Sequence, residues 1–257
     1  MSLAFETSGS GDDVVVLLHG LFGSGRNLAT LGKQLAGTHR VYALDLPNHG
    51  DSPHEAALDI PSMADRVADT LISLNISDCK LLGHSLGGKV AMSLALRYPK
   101  LVNRLVVVDI APVTYPPHHS EILTALQSLN LPAVESRSQA DKLLSGLVED
   151  LPTRQFLLQS LLKQGQSFCW KFNLDALAQS YDQLRVGIVL GDSPPFSKPV
   201  LLIGGEHSKY IRPENEPAMR GLFPQFTYRE IAGAGHWPHA EKPQSFNAMV
   251  EKFFAAA

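Results

Sequence analysis

The side chain best suited to nucleophilic chemistry is Ser85, in the run Gly-His-Ser-Leu-Gly at residues 83–87. A short apolar run precedes this segment, and residues 90–96 after it have a helical composition. In the order strand, sharp turn, helix, the pattern G-x-S-x-G presents a serine nucleophile. The turn strains the serine backbone, so the residues two before and two after it must be small, as Gly83 and Gly87 are. We therefore predict a nucleophile rather than an ordinary Gly-rich turn.

A serine hydroxyl attacks a carbonyl group only when a general base takes its proton. His236, in a Gly-rich loop that follows the predicted strand 226–231, is the candidate base. A second Gly-rich loop, residues 19–25, also follows an apolar strand, but its glycine spacing fits neither G-x-G-x-x-G nor the P-loop. This loop is better suited to lend a backbone N–H group to a reaction centre than to hold a phosphate.

Alternating strands and helices are predicted to carry these loops. The predicted strands are residues 3–7, 14–18, 41–44, 80–82, 105–108, 200–203 and 226–231. The predicted helices are residues 26–35, 61–74, 90–96, 214–222 and 243–254. Strand alternating with helix about every 30 residues predicts an α/β protein with a doubly wound, mostly parallel sheet of about seven strands.

The alternation stops over residues 112–196, which we predict to be a helical cap inserted in a core made of residues 1–111 and 197–257. Four helices and no sheet strand are expected there, with the helices at residues 121–129, 139–147, 153–163 and 174–184. Most aromatic side chains of this segment are expected to pack between helices, and some to line a pocket over Ser85. They are Tyr115, Phe156, Phe168, Trp170, Phe172 and Tyr181.

The composition limits the possible partners. The 257 residues carry a formal net charge of −3 and no block of basic residues, which argues against nucleic acids and anionic membrane surfaces. We see neither a signal peptide nor an apolar run as long as a membrane span. Cys79 and Cys169 are far apart in the sequence, so we expect two reduced thiols in a cytoplasmic protein without membrane insertion. The oligomeric state is left open.

With these motifs and elements in place, the sequence resembles the α/β-hydrolase superfamily over essentially its whole length. More narrowly, it resembles the bacterial YbfF-type esterases. The segments that carry the resemblance are residues 19–24, 48–50, 83–89, 109–113 and 233–237. The resemblance implies the α/β-hydrolase fold with a helical cap. It also implies hydrolysis of esters or thioesters without a metal or an organic cofactor.

The resemblance also implies roles for single residues. Ser85 is the expected nucleophile and His236 the expected base. The oxyanion of the tetrahedral intermediate needs fixed N–H donors, which by family position are the backbone N–H groups of Leu21 and Leu86. Phe22 is a less favoured substitute for Leu21.

The acid of the triad departs from the superfamily pattern. The superfamily acid usually follows the strand that is here residues 200–203, and aligning residues 205–211 with that turn puts Ser208 in its place. The YbfF type takes its acid from the end of the preceding strand, so Asp109 is the predicted acid. Glu206 is the competing candidate, because it lies two residues from the usual position.

Other polar residues near these motifs are expected to be structural. His236, His239 and Glu241 have the look of a metal site, but Pro238 disfavours the helix on which zinc-binding histidine pairs are found. We therefore predict no metal. The residues expected to support loops are His19, Asp45, His49 and Ser52, and those expected to lie in an exposed loop without a role are His118 and His119.

We predict a serine hydrolase that cleaves carboxylic esters of small to medium acyl chains through a Ser-His-Asp triad and an acyl-enzyme intermediate. An acyl thioesterase acting on acyl-CoA is the alternative among enzymes. The predicted cap shows no obvious basic cluster for the phosphates of CoA, which weighs mildly against it. A small-molecule receptor on the same fold is the alternative outside enzymes, and a damaged triad would favour it.

Overall fold

A computed structural model describes residues 2–191 and 194–256 of the chain. The described strands are β1 Phe5–Ser8, β2 Val14–Leu18, β3 Arg40–Leu44, β4 Cys79–His84, β5 Val102–Val108, β6 Leu161–Gln164, β7 Ser167–Trp170, β8 Val200–Gly205 and β9 Phe226–Ile231. Seven of them form one sheet in the order β1-β3-β2-β4-β5-β8-β9, and β6 and β7 form a separate pair. All neighbours in the seven-stranded sheet are parallel except the edge pair β1 and β3. The predicted doubly wound sheet of seven strands is confirmed.

Ten α-helices are found in the described residues. They are α1 Ala29–Leu35, α2 Ile60–Ser73, α3 Leu86–Arg97, α4 Ser120–Ser128, α5 Arg137–Leu144, α6 Leu151–Gln159, α7 Leu174–Leu184, α8 Glu216–Leu222, α9 Pro238–Glu241 and α10 Pro243–Ala255. The predicted first-turn proline of α2 is present, and the carboxylate of Asp59 caps this helix by accepting a hydrogen bond from the Ser62 N–H group at 2.7 Å.

The sheet is buried on both faces, as a parallel sheet with helices on both sides requires. Along β2, Val16 and Leu18 belong to the hydrophobic cluster that α2 and α3 cover. Val15 and Leu17 belong to the opposite cluster, covered by α1 and α10. Successive side chains of a strand point to opposite faces, so an uninterrupted apolar run such as β2 serves both layers.

Residues 112–196, which we call the insertion, lie in the chain between β5 and β8. The structure corrects one prediction here, because the expected helix 153–163 ends early and a two-stranded hairpin follows. Gln164 pairs with Ser167, so the hairpin turn has two residues, and Gly165 at φ 63° supplies the left-handed conformation such a turn needs. Residues 192 and 193 of the insertion lie outside the described residues. The division into a core and a cap domain stays a prediction.

The insertion is joined to the sheet by contacts with loops that follow β2 and β3. The Ser160 hydroxyl donates to the Phe22 carbonyl at 2.8 Å, and a bridge pairs His49 with Phe172. Within the residues that the structure describes, no helix has the length and apolar character needed to cross a membrane. Both cysteines are free thiols.

Candidate active site

Ser85 lies on the turn between β4 and α3, with φ 52° and ψ −117°. This conformation is rare for a residue with a side chain, and it lifts the hydroxyl above the carboxyl edge of the sheet. A Cβ atom on Gly83 would come within 2.1 Å of the Gly87 carbonyl oxygen, and one on Gly87 within 2.4 Å of the Leu18 carbonyl oxygen. Both positions therefore require glycine, as the motif predicts.

Three predicted residues meet at this edge in one line of hydrogen bonds. The Nε2 atom of His236 lies 3.1 Å from the Ser85 hydroxyl, and its Nδ1 atom lies 2.6 Å from a carboxylate oxygen of Asp109. Asp109 is fully buried. An ionised carboxylate only accepts hydrogen bonds, so the Asp109 contact places the imidazole proton on Nδ1 and leaves Nε2 free to accept the serine proton.

The carboxylate of Asp109 is held by further donors. The Ser208 hydroxyl donates to it at 2.5 Å, and the Gly205 N–H group donates to its other oxygen at 3.2 Å. The residue at the usual acid position is thus a hydrogen-bond donor to the carboxylate that replaces it. Glu206 is exposed, and its carboxylate instead accepts a hydrogen bond from the Gly233 N–H group at 2.7 Å.

The loop that carries His236 is supported on three sides. Glu241 accepts hydrogen bonds from the N–H groups of Gly235 and Trp237, at 2.7 and 3.0 Å. The Nε2–H group of His84 donates to the His236 carbonyl at 2.8 Å. The ring of Tyr210 stacks on the His236 ring, with centroids 4.1 Å apart. These contacts fix the imidazole from its backbone and from one face.

Two backbone N–H groups next to Ser85 have no acceptor within the described part of the chain, those of Leu21 and Leu86. Leu86 begins α3, so its N–H group lies at the positive end of that helix. The Phe22 N–H group is already used, because it donates to Nε2 of His49 at 3.2 Å. Burial lowers the pKa of His49 to about 3, which keeps this nitrogen an acceptor.

The other polar residues singled out in the sequence make contacts within the loops. Nε2 of His19 accepts from the Leu46 N–H group at 2.9 Å, while Asp45 accepts from the N–H groups of Gly25 and Asp51. His239 is buried against the ring of His84. In the part of the chain that the structure describes, no group of three or more His, Cys, Asp or Glu side chains could hold a metal ion.

One expectation is wrong for His119, which is not an exposed residue without a role. Its Nδ1 atom lies 3.1 Å from the Tyr181 hydroxyl, and its ring borders the space above Ser85. Burial lowers its pKa to about 4, so the imidazole is neutral. The two prolines before it are typical of an exposed turn, and no sequence signal near it reveals the tyrosine more than 60 residues away.

Sequence reasoning also missed Lys89, which lies on α3 one turn after Ser85 and is buried. Its ammonium group donates to the backbone carbonyls of Val113, Arg185 and Val186. The first of these carbonyls lies where the chain enters the insertion, and the other two follow α7. A charged residue in the mostly apolar run of residues 86–96 is a signal that could have marked this contact.

Two cavities meet at Ser85, one of about 50 Å³ and one of about 280 Å³. Ser85 and Leu21 border both of them. His236 and Trp237 border only the larger cavity. The reactive hydroxyl is therefore open to a substrate on two sides.

Residues 15–249 match the family described as the Alpha/beta hydrolase family. The chain belongs to this family. Among relatives of this α/β hydrolase, the sn-1-specific diacylglycerol lipase ABHD11 of Mus musculus is 41% identical, over 94% of this chain and 80% of the relative. The esterase YbfF of Escherichia coli strain K12 is 34% identical, over 93% of this chain and 92% of the relative.

A solved structure described as a marine microorganism esterase superposes on this α/β hydrolase with a TM-score of 0.95 and 32% sequence identity. The match covers 98% of this chain and 99% of the other. The predicted fold and the resemblance to YbfF-type esterases are confirmed. The predicted enzyme class, a serine ester hydrolase, is confirmed as well.

Proposed function

We propose that this α/β hydrolase cleaves carboxylic esters with Ser85 as nucleophile, His236 as general base and Asp109 as the acid that orients the base. The observation that carries the proposal is the line of hydrogen bonds from the serine hydroxyl through both imidazole nitrogens to a buried carboxylate. The named activities of the relatives, esterase and diacylglycerol lipase, are both ester cleavages and support the same reaction.

In the first half of the reaction, the Ser85 oxygen attacks the ester carbonyl while its proton passes to Nε2 of His236. The imidazolium that forms is stabilised by the carboxylate of Asp109, which lies in a site without water-exposed surface. The carbonyl oxygen becomes an oxyanion and accepts hydrogen bonds from the free N–H groups of Leu21 and Leu86. Each such donor stabilises the transition state by about 3 kcal/mol.

The tetrahedral intermediate collapses when Nε2–H of His236 gives its proton to the ester oxygen, which leaves as an alcohol. The acyl group then remains on Ser85. Water attacks this acyl-enzyme, its proton passes to the same nitrogen, and the carboxylic acid departs as the serine recovers its proton. Each step moves one proton through one imidazole nitrogen.

The surroundings of the site favour an ester over an acyl-CoA thioester. A CoA substrate needs cationic groups for its phosphates, and Lys89 and Arg185 are the cationic side chains that border the cavities. Lys89 is engaged by three backbone carbonyls, while Arg185 pairs with Asp182 and donates to the Tyr115 carbonyl.

The intact line of hydrogen bonds from Ser85 through His236 to Asp109 favours an enzyme over a receptor. We further propose that the enzyme acts on a small-molecule substrate in the cytoplasm, a location that its two free thiols support.

The test compares an ester and a thioester that share one acyl group, p-nitrophenyl butyrate and butyryl-CoA. We expect a higher kcat/KM for the ester, and loss of both activities in Ser85→Ala. A higher kcat/KM for the thioester would point to the thioesterase. Absence of turnover with either substrate, in a protein that is folded by circular dichroism, would contradict the proposed function.

A further inference from the structure

We propose that the two cavities divide the substrate, so that the smaller cavity holds the acyl group and the larger cavity holds the alcohol. This assignment rests on the proposed function and adds to it a substrate class. The preferred substrates are esters of short carboxylic acids with bulky, largely apolar alcohols.

The direction of the substrate follows from proton delivery. The leaving alcohol oxygen must lie next to Nε2 of His236, since that atom supplies its proton. His236 and Trp237 line the larger cavity and are absent from the walls of the smaller one. The smaller cavity is bordered instead by Leu86, the second N–H donor, and by Ile110. An ester bound for attack therefore places its alcohol in the larger cavity and its acyl chain in the smaller one.

The length of the acyl chain follows from the volumes. A water-sized group occupies about 10–15 Å³ by the same measure, so a cavity of about 50 Å³ holds about three to five such groups. That is enough for an acetyl to butyryl chain and too little for an octanoyl chain. The larger cavity, about 280 Å³, holds several times as much.

Two walls of the smaller cavity are held by hydrogen bonds, which limits how far these side chains can move aside for a longer acyl chain. The Tyr115 hydroxyl accepts a hydrogen bond from the Ala111 N–H group at 2.8 Å and donates to the Tyr210 carbonyl at 2.6 Å. Lys89, on another wall, is held by three carbonyls. Leu184, at the end of α7, lines the cavity on the side of the insertion and is buried.

Apolar side chains from the loop after β2, from the insertion and from the His236 loop form much of the wall of the larger cavity, beside the imidazoles of His118 and His119. Ile122 on α4 and Phe156 and Leu157 on α6 face it, and the rings of Phe156 and Trp237 are 5.5 Å apart. The apolar part of this wall gains free energy by covering an apolar alcohol.

Two substrate series test the assignment on the wild-type enzyme. In p-nitrophenyl acetate, butyrate and octanoate, the alcohol is constant and the acyl chain grows. We expect kcat/KM to fall at least about tenfold from butyrate to octanoate, because the added methylenes do not fit. In ethyl, butyl and octyl acetate, followed by acid release, the acyl group is constant, and we expect no such fall.

A reversed pattern, with octanoate preferred over butyrate or with kcat/KM falling along the acetate series, would overturn the assignment and leave the proposed function standing. Failure to hydrolyse any ester would overturn both. These outcomes are distinguishable because ester cleavage itself is scored in every assay.

A matched pair of variants tests the walls. Leu184→Ala enlarges the smaller cavity, and we expect the ratio of octanoate to butyrate kcat/KM to rise at least about tenfold. Phe156→Ala enlarges the larger cavity and should leave this ratio unchanged. Each ratio is measured within one protein, so a loss of folded enzyme cancels. An unchanged ratio in Leu184→Ala, or an equal rise in Phe156→Ala, would contradict the assignment.

Discussion

The catalytic edge of the sheet and the insertion above it are positioned by different kinds of contact. At the edge, backbone hydrogen bonds fix the two residues that end strands: the Ser85 N–H group donates to the Val108 carbonyl, and the Asp109 N–H group to the Ile203 carbonyl. In the insertion, side chains join residues that lie far apart in the chain, as when the Tyr181 hydroxyl accepts from the His119 N–H group at 2.9 Å.

This difference decides which parts of the site can be read from the sequence. Backbone positioning needs close approach and unusual conformations, and both leave local marks. Ser85 and Asp109 each have φ 52°, in the left-handed region that costs about 1–2 kcal/mol for a residue with a Cβ atom. Side-chain positioning joins residues far apart in the chain and leaves no local mark.

The largest effect that tests the catalytic edge is expected from Asp109→Asn. An amide at this position can donate to Nδ1, which turns the imidazole of His236 to the wrong tautomer. We expect kcat to fall by about 10⁴ with p-nitrophenyl butyrate, while the fold persists. Steady-state kinetics and circular dichroism of the purified variant check both parts.

Glu206→Gln is the matched control, because it makes the same chemical change on the competing carboxylate. Its contact with the Gly233 N–H group can be kept by the amide oxygen, so we expect kcat within about threefold of wild type. Near-normal kcat in Asp109→Asn together with a collapse in Glu206→Gln would show that the acid is the residue nearer the usual position.

Much of the fold and the catalytic edge could be predicted from the sequence. Uninterrupted apolar runs such as β2 indicate strands buried on both faces. Glycine is required at positions 83 and 87 because a Cβ atom there would lie less than 2.5 Å from a backbone oxygen. The placement of Ser208 beside Asp109 agrees with the predicted shift of the acid to the preceding strand. The alternation of strands and helices along the chain predicts a mostly parallel sheet, but it does not specify the order of the strands or their register.

The insertion could be predicted only in part. The hairpin β6 and β7 was missed because residues 153–163 also have helical spacing, and the turn at Gly165 is a single weak signal. The burial of His119 depends on Tyr181 and on the packing of α7 against α4, which sequence spacing does not specify. The positions of the three carbonyls around Lys89 also depend on how the insertion packs, which sequence spacing does not specify.

Lys89 on α3 connects the catalytic edge with the insertion through its hydrogen bonds to three carbonyls. Replacing it tests this connection, with a smaller expected effect than that of Asp109→Asn. Burial lowers the pKa of its ammonium group from 10.5 to about 7. Between these values the unfolded chain keeps a proton that the folded chain has released, so this group makes the free energy of unfolding rise as the pH rises from about 7 to about 10. Lys89→Met lacks this group. We expect wild type to gain on the order of a few kcal/mol over the variant across this range.

The measurement is urea unfolding of both proteins at about pH 7 and about pH 10. Titration of other groups cancels in the difference between wild type and variant. Lys89→Arg, which stays charged over this range, should show no rise relative to Lys89→Met. Equal changes in wild type and Lys89→Met would contradict a buried ammonium that titrates with a lowered pKa.

The central claim is that Ser85 is the nucleophile, and covalent labelling tests it most directly. A fluorophosphonate reacts with an activated serine to form a stable phosphonyl ester, which mimics the tetrahedral intermediate. We expect intact-protein mass spectrometry to show one added group per chain, peptide mapping to place it on Ser85, and Ser85→Ala to remain unlabelled. One added group on a different residue, or equal labelling of Ser85→Ala, would contradict the account.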